Sequence, residues 1–187
     1  MQLHLIQPVF HSNDAERETE LRLVETINRA RFGEAMTTPE DRLEFTALLE
    51  MCRSDAVNVL ANSDIAFDET ADLFGRITGD EVWCMSRWDQ GVGGWCLNDR
   101  KDSQDAWVIR GVPRHRIDAP FLMGQPGCDN RLVHLFTEAG YTVRNPSRSI
   151  RYFHHHASDA RAYRHGRQKI NVVPPPYGYV SPHRLRG

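Results

Sequence analysis

Several things are scarce in this chain of 187 residues. Its four cysteines, Cys52, Cys84, Cys96 and Cys128, form no CxxC pair, so a zinc-ribbon framework has no support and the thiols are expected to be reduced and mostly packed. No excess of one charge exists either: 23 basic against 25 acidic residues leave a net charge of −2. That excludes the broad basic field that drives non-specific nucleic-acid binding, so no nucleic-acid partner is expected. Long apolar runs are missing too. "MQLHLIQPVFH" is too short and carries no basic n-region for a secretory signal, and no window reaches membrane-spanning length. The expectation is a cytoplasmic protein without an integral membrane segment. No internal repeat is found, and nothing specifies an oligomeric state.

What is present is ordinary globular material, 40% hydrophobic and 26% charged, which is enough to bury one sizeable core. One domain over residues 1–187 is expected. "LHLIQPVF" (3–10) reads as a strand ending near Pro8. Asn13 with Glu16 resembles a capping box opening a helix, on which Leu21, Val24 and Ile27 recur to about residue 30. Thr38 and Pro39 cap a second helix carrying the stripe Phe45, Leu48, Leu49 and Cys52. "AVNVLA" (56–61) is a buried strand, and "ETADLFGRI" a short helix capped by Asp68.

"EVWCMSRW" (81–88) and "AWVIRG" (106–111) are further strands, with the Gly-rich, acidic stretch 89–105 between them as a loop. "GQPGCDNRLVHLFTEAG" is a turn at Pro126 and Gly127 followed by a helix with Leu132, Leu135 and Phe136 on one face and Gly140 at its end. "YTVRN" is a strand. From "RYFHHH" through "NVVPPPYGYVSP" the chain is extended and proline-rich, expected to wrap the body rather than build sheet. Alternating β and α units predict an α/β fold: a mostly parallel, Rossmann-like sheet with helices on both faces.

In such a sheet Asn62, Ser63 and Asp64 project from a strand's carboxyl end into the crevice where nucleotides and their metals sit. Asp64 is then a candidate ligand for a divalent cation, which needs only one or two protein carboxylates beside water and phosphate oxygens. An Asx-type turn explains the same letters. On an extended backbone His154 and His156 point to one side and His155 to the other, so the pair is a candidate metal-ligand set, although histidines are more often ordinary surface or core residues.

Asp129, at a helix start, is either an N-cap or first-turn acid favoured by the dipole or a general base facing the crevice. Asp105, before a strand, is a second carboxylate candidate. The arginines between Arg144 and Arg167 (Arg148, Arg151, Arg161 and Arg164 among them) offset almost no acid but Asp159 and can form an anion site or a solvated face. Trp88, Trp95 and Trp107 are core by frequency, and stack on a sugar or base where exposed.

The ordered set "PVFHS", "ANSDIAFDET", "CMSRWD", "DSQDAWVIRG", "PGCDNRLVHLFTEAGYTVRNPS" and "IRYFHHHAS" resembles small GT-A-type glycosyltransferases, across most of the chain. The resemblance implies transfer of a sugar from a nucleotide-diphosphate sugar to a glycan or other hydroxyl acceptor. It implies a nucleotide-sugar side at about 1–88, an acceptor side at about 89–157 and a wrapping tail at 158–187. "NSD" stands where these enzymes carry a DxD metal motif, with Asn62 replacing the first Asp and Asp64 retained. The set implied for the donor is Pro8, Asn62, Ser63, Asp64, Arg87 and Arg151; for the acceptor, Trp88, Trp107 and Asn130; for Mn2+ or Mg2+, Asp64, His154 and His156. Asp129 or Asp105 would be catalytic, Asp129 as base if configuration inverts. Two other readings compete. One is a metal-dependent phosphoester hydrolase built on Asp64, Asp129, His154 and His156. The other is a non-catalytic binding module whose "VVPPPYGYV" tail docks in a partner's groove.

Overall fold

A computed structural model describes residues 1–40, 42–157 and 172–185. Arg161, Arg164 and Arg167 of the basic run lie outside the described residues, as does most of the join between the histidine triplet and the tail.

The chain begins with β1 (Gln2–Ile6), α1 (Ala15–Phe32), β2 (Met36–Thr37), α2 (Phe45–Glu50) and β3 (Ala56–Ala61). Asp14, not Asn13, caps α1: its carboxylate accepts the Arg17 N–H at 2.9 Å, satisfying a donor that the first helical turn leaves unpaired. α2 starts at Phe45 rather than just after Thr38 and Pro39. The continuation of β1 holds that stretch extended, with Gln7 N–H donating to the Thr37 carbonyl at 3.0 Å and Val9 N–H to that of Pro39 at 2.9 Å.

After β3 come β4 (Ile65–Phe67), a 3-10 segment at Glu69–Arg76 capped by Asp68, β5 (Glu81–Met85), β6 (Trp88–Gly91), β7 (Gly94–Leu97) and β8 (Ala106–Arg110). The described chain continues through α3 (Cys128–Glu138), β9 (Thr142–Arg144) and β10 (Tyr152–His154).

The strands form two mixed sheets rather than one mostly parallel sheet. The larger has the order β2-β1-β3-β8-β5-β9 and the smaller β4-β10-β6-β7. In the larger, β8 runs against both β3 and β5 while the other pairs are parallel. A parallel neighbour needs a crossover that carries the chain back along the sheet, usually a helix. Residues 86–105 instead fold into the β6–β7 hairpin, so β8 enters from the same edge where β5 ended.

The stretch expected as a solvated loop thus contains a strand pair turned at Val92–Gly93. "EVWCMSRW" is broken because Ser86 N–H leaves the ladder for Ser147 Oγ at 2.9 Å. β10 also corrects the expectation for "RYFHHH": it pairs antiparallel with β4 and parallel with β6. The later tail does wrap the body, through Val173 N–H to the Pro126 carbonyl (2.9 Å), Gly178 N–H to that of Asn130 (2.8 Å) and Val180 N–H to that of Lys101 (3.0 Å).

Helices cover both faces of the larger sheet. One face packs Phe45, Leu48 and Leu49 of α2 and Leu132, Val133 and Phe136 of α3 onto Ile6, Leu60 and Trp107. The other packs Phe32 of α1, Phe74, and Ile65, Phe67 and Tyr152 of the smaller sheet onto Leu5, Val57, Val59, Trp83 and Val108.

Asn28, fully buried on the inner stripe of α1, joins these layers. Its Nδ2 donates to Gln7 Oε1 and the Ile65 carbonyl, both at 2.8 Å, and its Oδ1 accepts the Phe67 N–H at 3.1 Å. Asn28→Ala takes the partner from the buried Phe67 N–H and from Gln7 Oε1, while the Ile65 carbonyl keeps Gln7 Nε2 at 2.9 Å, and is expected to cost about 2–4 kcal/mol. The midpoint of urea unfolding measures that loss.

Candidate metal centre and active-site cleft

β1 has β2 on one side and β3 on the other, so the chain reverses its winding direction between β1 and β3. Ligands in open α/β sheets bind outside the carboxyl ends of the strands at such a switch point. A cleft of about 1100 Å³ opens there. Of the residues singled out from the sequence, Pro8, Asn62, Ser63, Asp64, Arg87, Asp105, Asp129, His154 and His156 line it.

Asp64 follows β3 in a turn closed by Ile65 N–H on the Asn62 carbonyl at 3.2 Å. The Asp64 carbonyl accepts the His155 N–H at 2.9 Å, which continues the β4–β10 pairing by one step. Side chains alternate along an extended strand, so His154 and His156 both turn toward Asp64. His154 Nε2 stands 3.3 Å and His156 Nδ1 3.5 Å from Asp64 Oδ2. One ligand atom from each of the three residues lies within 4.8 Å of the others. Two imidazole nitrogens and one carboxylate oxygen suit a first-row transition ion, whereas Mg2+ prefers a shell of oxygens. The three residues therefore fit a metal ion.

Arg17 belongs to this cluster and was missed from the sequence. Its Nη2 donates to Asp64 Oδ2 at 2.5 Å, while Nη1 donates to Glu20 Oε2 at 2.9 Å and the His155 carbonyl at 2.7 Å. The available signal was an arginine in line with Leu21, Val24 and Asn28 on the buried stripe of α1. A cation on an apolar stripe needs a partner.

Burial opposes ionisation of Asp64, but His154, His156 and Arg17 outweigh it and hold the carboxyl well below its usual value. His154 is likewise opposed by burial, yet Asp64 and Asp89 raise its pKa to about 9. His154 Nδ1 meets Asp89 Oδ1 at 2.8 Å.

Asp89 leads to a further chain of pairs. Arg87 Nε donates to Asp89 Oδ1 at 2.8 Å and Arg87 Nη1 pairs with Asp105 Oδ2 at 3.2 Å. Asn62 Nδ2 donates to Asp105 Oδ1 at 2.9 Å. The residue standing where a first Asp was expected is thus a donor to a carboxylate brought in by β8. An aspartate at that position would set a second negative charge against Asp105, whose carboxyl burial already pushes above its ordinary value.

Across the cleft Asp129 sits in the first turn of α3. The helix is entered through Gly127 at φ +82°, where a Cβ would meet the Val173 carbonyl at 3.1 Å and Tyr177 Oη at 3.2 Å. Gly127 takes the cap position, so Asp129 is not the N-cap. Its carboxylate accepts N–H from Asn130 at 2.9 Å and Gln104 at 3.3 Å. Burial raises its pKa to about 6 against those two hydrogen bonds.

The remaining expected site residues lie elsewhere. Trp107 is fully buried, edge-on to Phe45 at 4.8 Å, so it has no face to offer an acceptor. Trp88 donates its indole N–H to the Ser147 carbonyl at 3.1 Å and does not line the cleft. Asn130 turns behind the cleft wall, with Nδ2 on the Asp102 carbonyl at 3.3 Å. Arg151 is drawn to Asp68 at 2.8 Å and Glu69 at 3.5 Å, and Arg148 to Asp99 at 2.6 Å. Neither arginine reaches the cleft.

No protein-family model, curated protein or solved structure matches the chain. No helix among the described residues is long and apolar enough to cross a membrane.

A metal ligand must be a neutral imidazole, and His154 is protonated below about pH 9, so metal uptake must release its proton. Mn2+ affinity is therefore expected to rise by up to about tenfold per pH unit between 7 and 9. At pH 7.5 close to one proton should be released per ion, which calorimetry in buffers of different ionisation enthalpy measures. Asp64→Ala is expected to abolish the binding.

Proposed function

We propose that the protein is a glycosyltransferase that moves a sugar from a nucleotide-diphosphate sugar to a hydroxyl acceptor, with a divalent metal on Asp64, His154 and His156. The observation that carries this reading is one cleft with two unlike carboxylates. Asp64 is held ionised among cations, and Asp129, apart from that cluster, has a pKa of about 6. Such a division suits a reaction that stabilises a leaving diphosphate at one place and removes a proton at another. The segment-by-segment resemblance to GT-A-type enzymes points the same way.

In this reading Pro8, Asn62 and Ser63 border the donor, and Arg87, fixed between Asp89 and Asp105, adds positive charge to that side. A metal on Asp64, His154 and His156 would supply Lewis-acid stabilisation of the departing nucleoside diphosphate. The two-nitrogen donor set makes Mn2+ the better fit of the two ions expected. The acceptor hydroxyl oxygen attacks the anomeric carbon while the bond from that carbon to the diphosphate oxygen breaks. The hydroxyl proton passes to Asp129. Burial has brought that base close to neutral pH, where it stays ionised yet basic enough to take the proton.

A metal-dependent phosphoester hydrolase is the second reading, because the same triad leaves coordination positions open for water. It expects Asp129 beside the triad, whereas the ligand atoms within 4.8 Å of one another come from Asp64, His154 and His156. The binding-module reading has less support, since Val173, Gly178 and Val180 bond the tail to the body.

A thermal-shift screen of nucleoside diphosphates and their sugars, each with and without Mn2+, tests the proposal. A donor that raises Tm only together with Mn2+ supports it; no response to any nucleotide, combined with phosphate release from a phosphomonoester, supports hydrolysis instead. Asp129→Asn is expected to leave donor binding intact and lower kcat by about 10²-fold or more. Since the base works only when ionised, wild-type kcat should climb as pH rises through about 6, and a flat profile from pH 5 to 7 removes Asp129 from that role.

A further inference from the structure

We propose that Arg17 is a resident cation of the Asp64 site and competes with the metal for that carboxylate, so that it limits how tightly the metal is held. This inference rests on the metal site of the preceding reading and on no other part of it.

Arg17 Nη2 stands 2.5 Å from Asp64 Oδ2, the same oxygen that His154 Nε2 approaches at 3.3 Å and His156 Nδ1 at 3.5 Å. The guanidinium therefore claims the one carboxylate oxygen that both imidazoles also approach. The Arg17 side chain is only 7% exposed, so water does little to screen its charge, and a divalent ion entering beside it meets strong repulsion.

The arginine has somewhere else to put its charge. Nη1 is held independently by Glu20 Oε2 at 2.9 Å and by the His155 carbonyl at 2.7 Å. Glu20 also accepts the Ala157 N–H at 2.8 Å through its other oxygen. Metal entry therefore costs Arg17 one contact, Nη2 to Asp64, and leaves it paired with Glu20. Guanidinium and metal are alternative counter-ions for one partly buried carboxylate.

A purely structural role predicts the opposite sign. Arg17 and Glu20 tie the segment carrying His155 to α1, and if that tie mattered more than the competition, removing Arg17 would let the histidines drift and weaken the metal site.

Calorimetric titration of full-length wild type, Arg17→Gln and Arg17→Lys with Mn2+ at one pH separates the two. The glutamine variant is expected to bind Mn2+ about tenfold or more tighter than wild type. It should also melt lower in EDTA and show the larger Mn2+-induced rise in Tm. Lysine keeps the charge but cannot fork between Glu20, the His155 carbonyl and Asp64 together. That variant should bind Mn2+ more tightly than wild type and less tightly than the glutamine variant, and it decides the matter alone if the glutamine variant does not fold. Binding that is unchanged or weaker in the folded variants overturns the inference while leaving the metal site standing. Absence of Mn2+ binding in wild type and variants alike overturns both.

Discussion

Taking a carboxylate out of water costs several kcal/mol unless opposite charges meet it, and the site is organised around one such group. Asp64 leaves β3 at the switch point of the larger sheet and is met by Arg17 from α1 and by His154 and His156 from the end of β10. Asp64 and these partners come from three parts of the chain that share no local neighbourhood. Their meeting requires α1 packed over β4, the smaller sheet formed, and β10 in register with β4. The charge balance at Asp64 and the docking of the smaller sheet are therefore one constraint seen from two sides.

That balance extends beyond Asp64. Through Asp89, Arg87 and Asp105 the charges alternate in sign until Asn62 closes the series with an amide donor. The antiparallel entry of β8 brings Asp105 to this edge of the sheet. The departure from a mostly parallel fold thus does chemical work, delivering a carboxylate where the strand after β1 and β2 carries an amide. Asp129 stands outside the series. Its environment is dominated by burial with backbone donors rather than by cations, which is why two aspartates of one cleft differ so widely in proton affinity.

Much of this was legible where the cause is local. "AVNVLA" coincides with β3 because a six-residue run with apolar residues at every position but Asn58, buried throughout, has few alternatives. α3 was readable from its turn and stripe, and the pairing of His154 with His156 from simple alternation. What escaped reading depends on distant pairing. β8's direction is decided by the route of residues 86–105, and β10 becomes a strand only because β4 and β6 flank it. Arg17 gains its place from a carboxylate 47 positions away. Arg151 was misplaced for the converse reason: Asp68 and Glu69, the cap and first residue of the 3-10 segment, claim its charge before the cleft can. Trp107 followed the majority of tryptophans into the core.

The most direct test of the account's central claim is pulsed EPR on Mn2+ bound to the full-length protein. The account predicts modulation from two inequivalent imidazole nitrogens, reduced to one in His156→Ala and absent, with the ion unbound, in Asp64→Ala. A bound Mn2+ without nitrogen coupling, or with coupling unaltered by both substitutions, would contradict it.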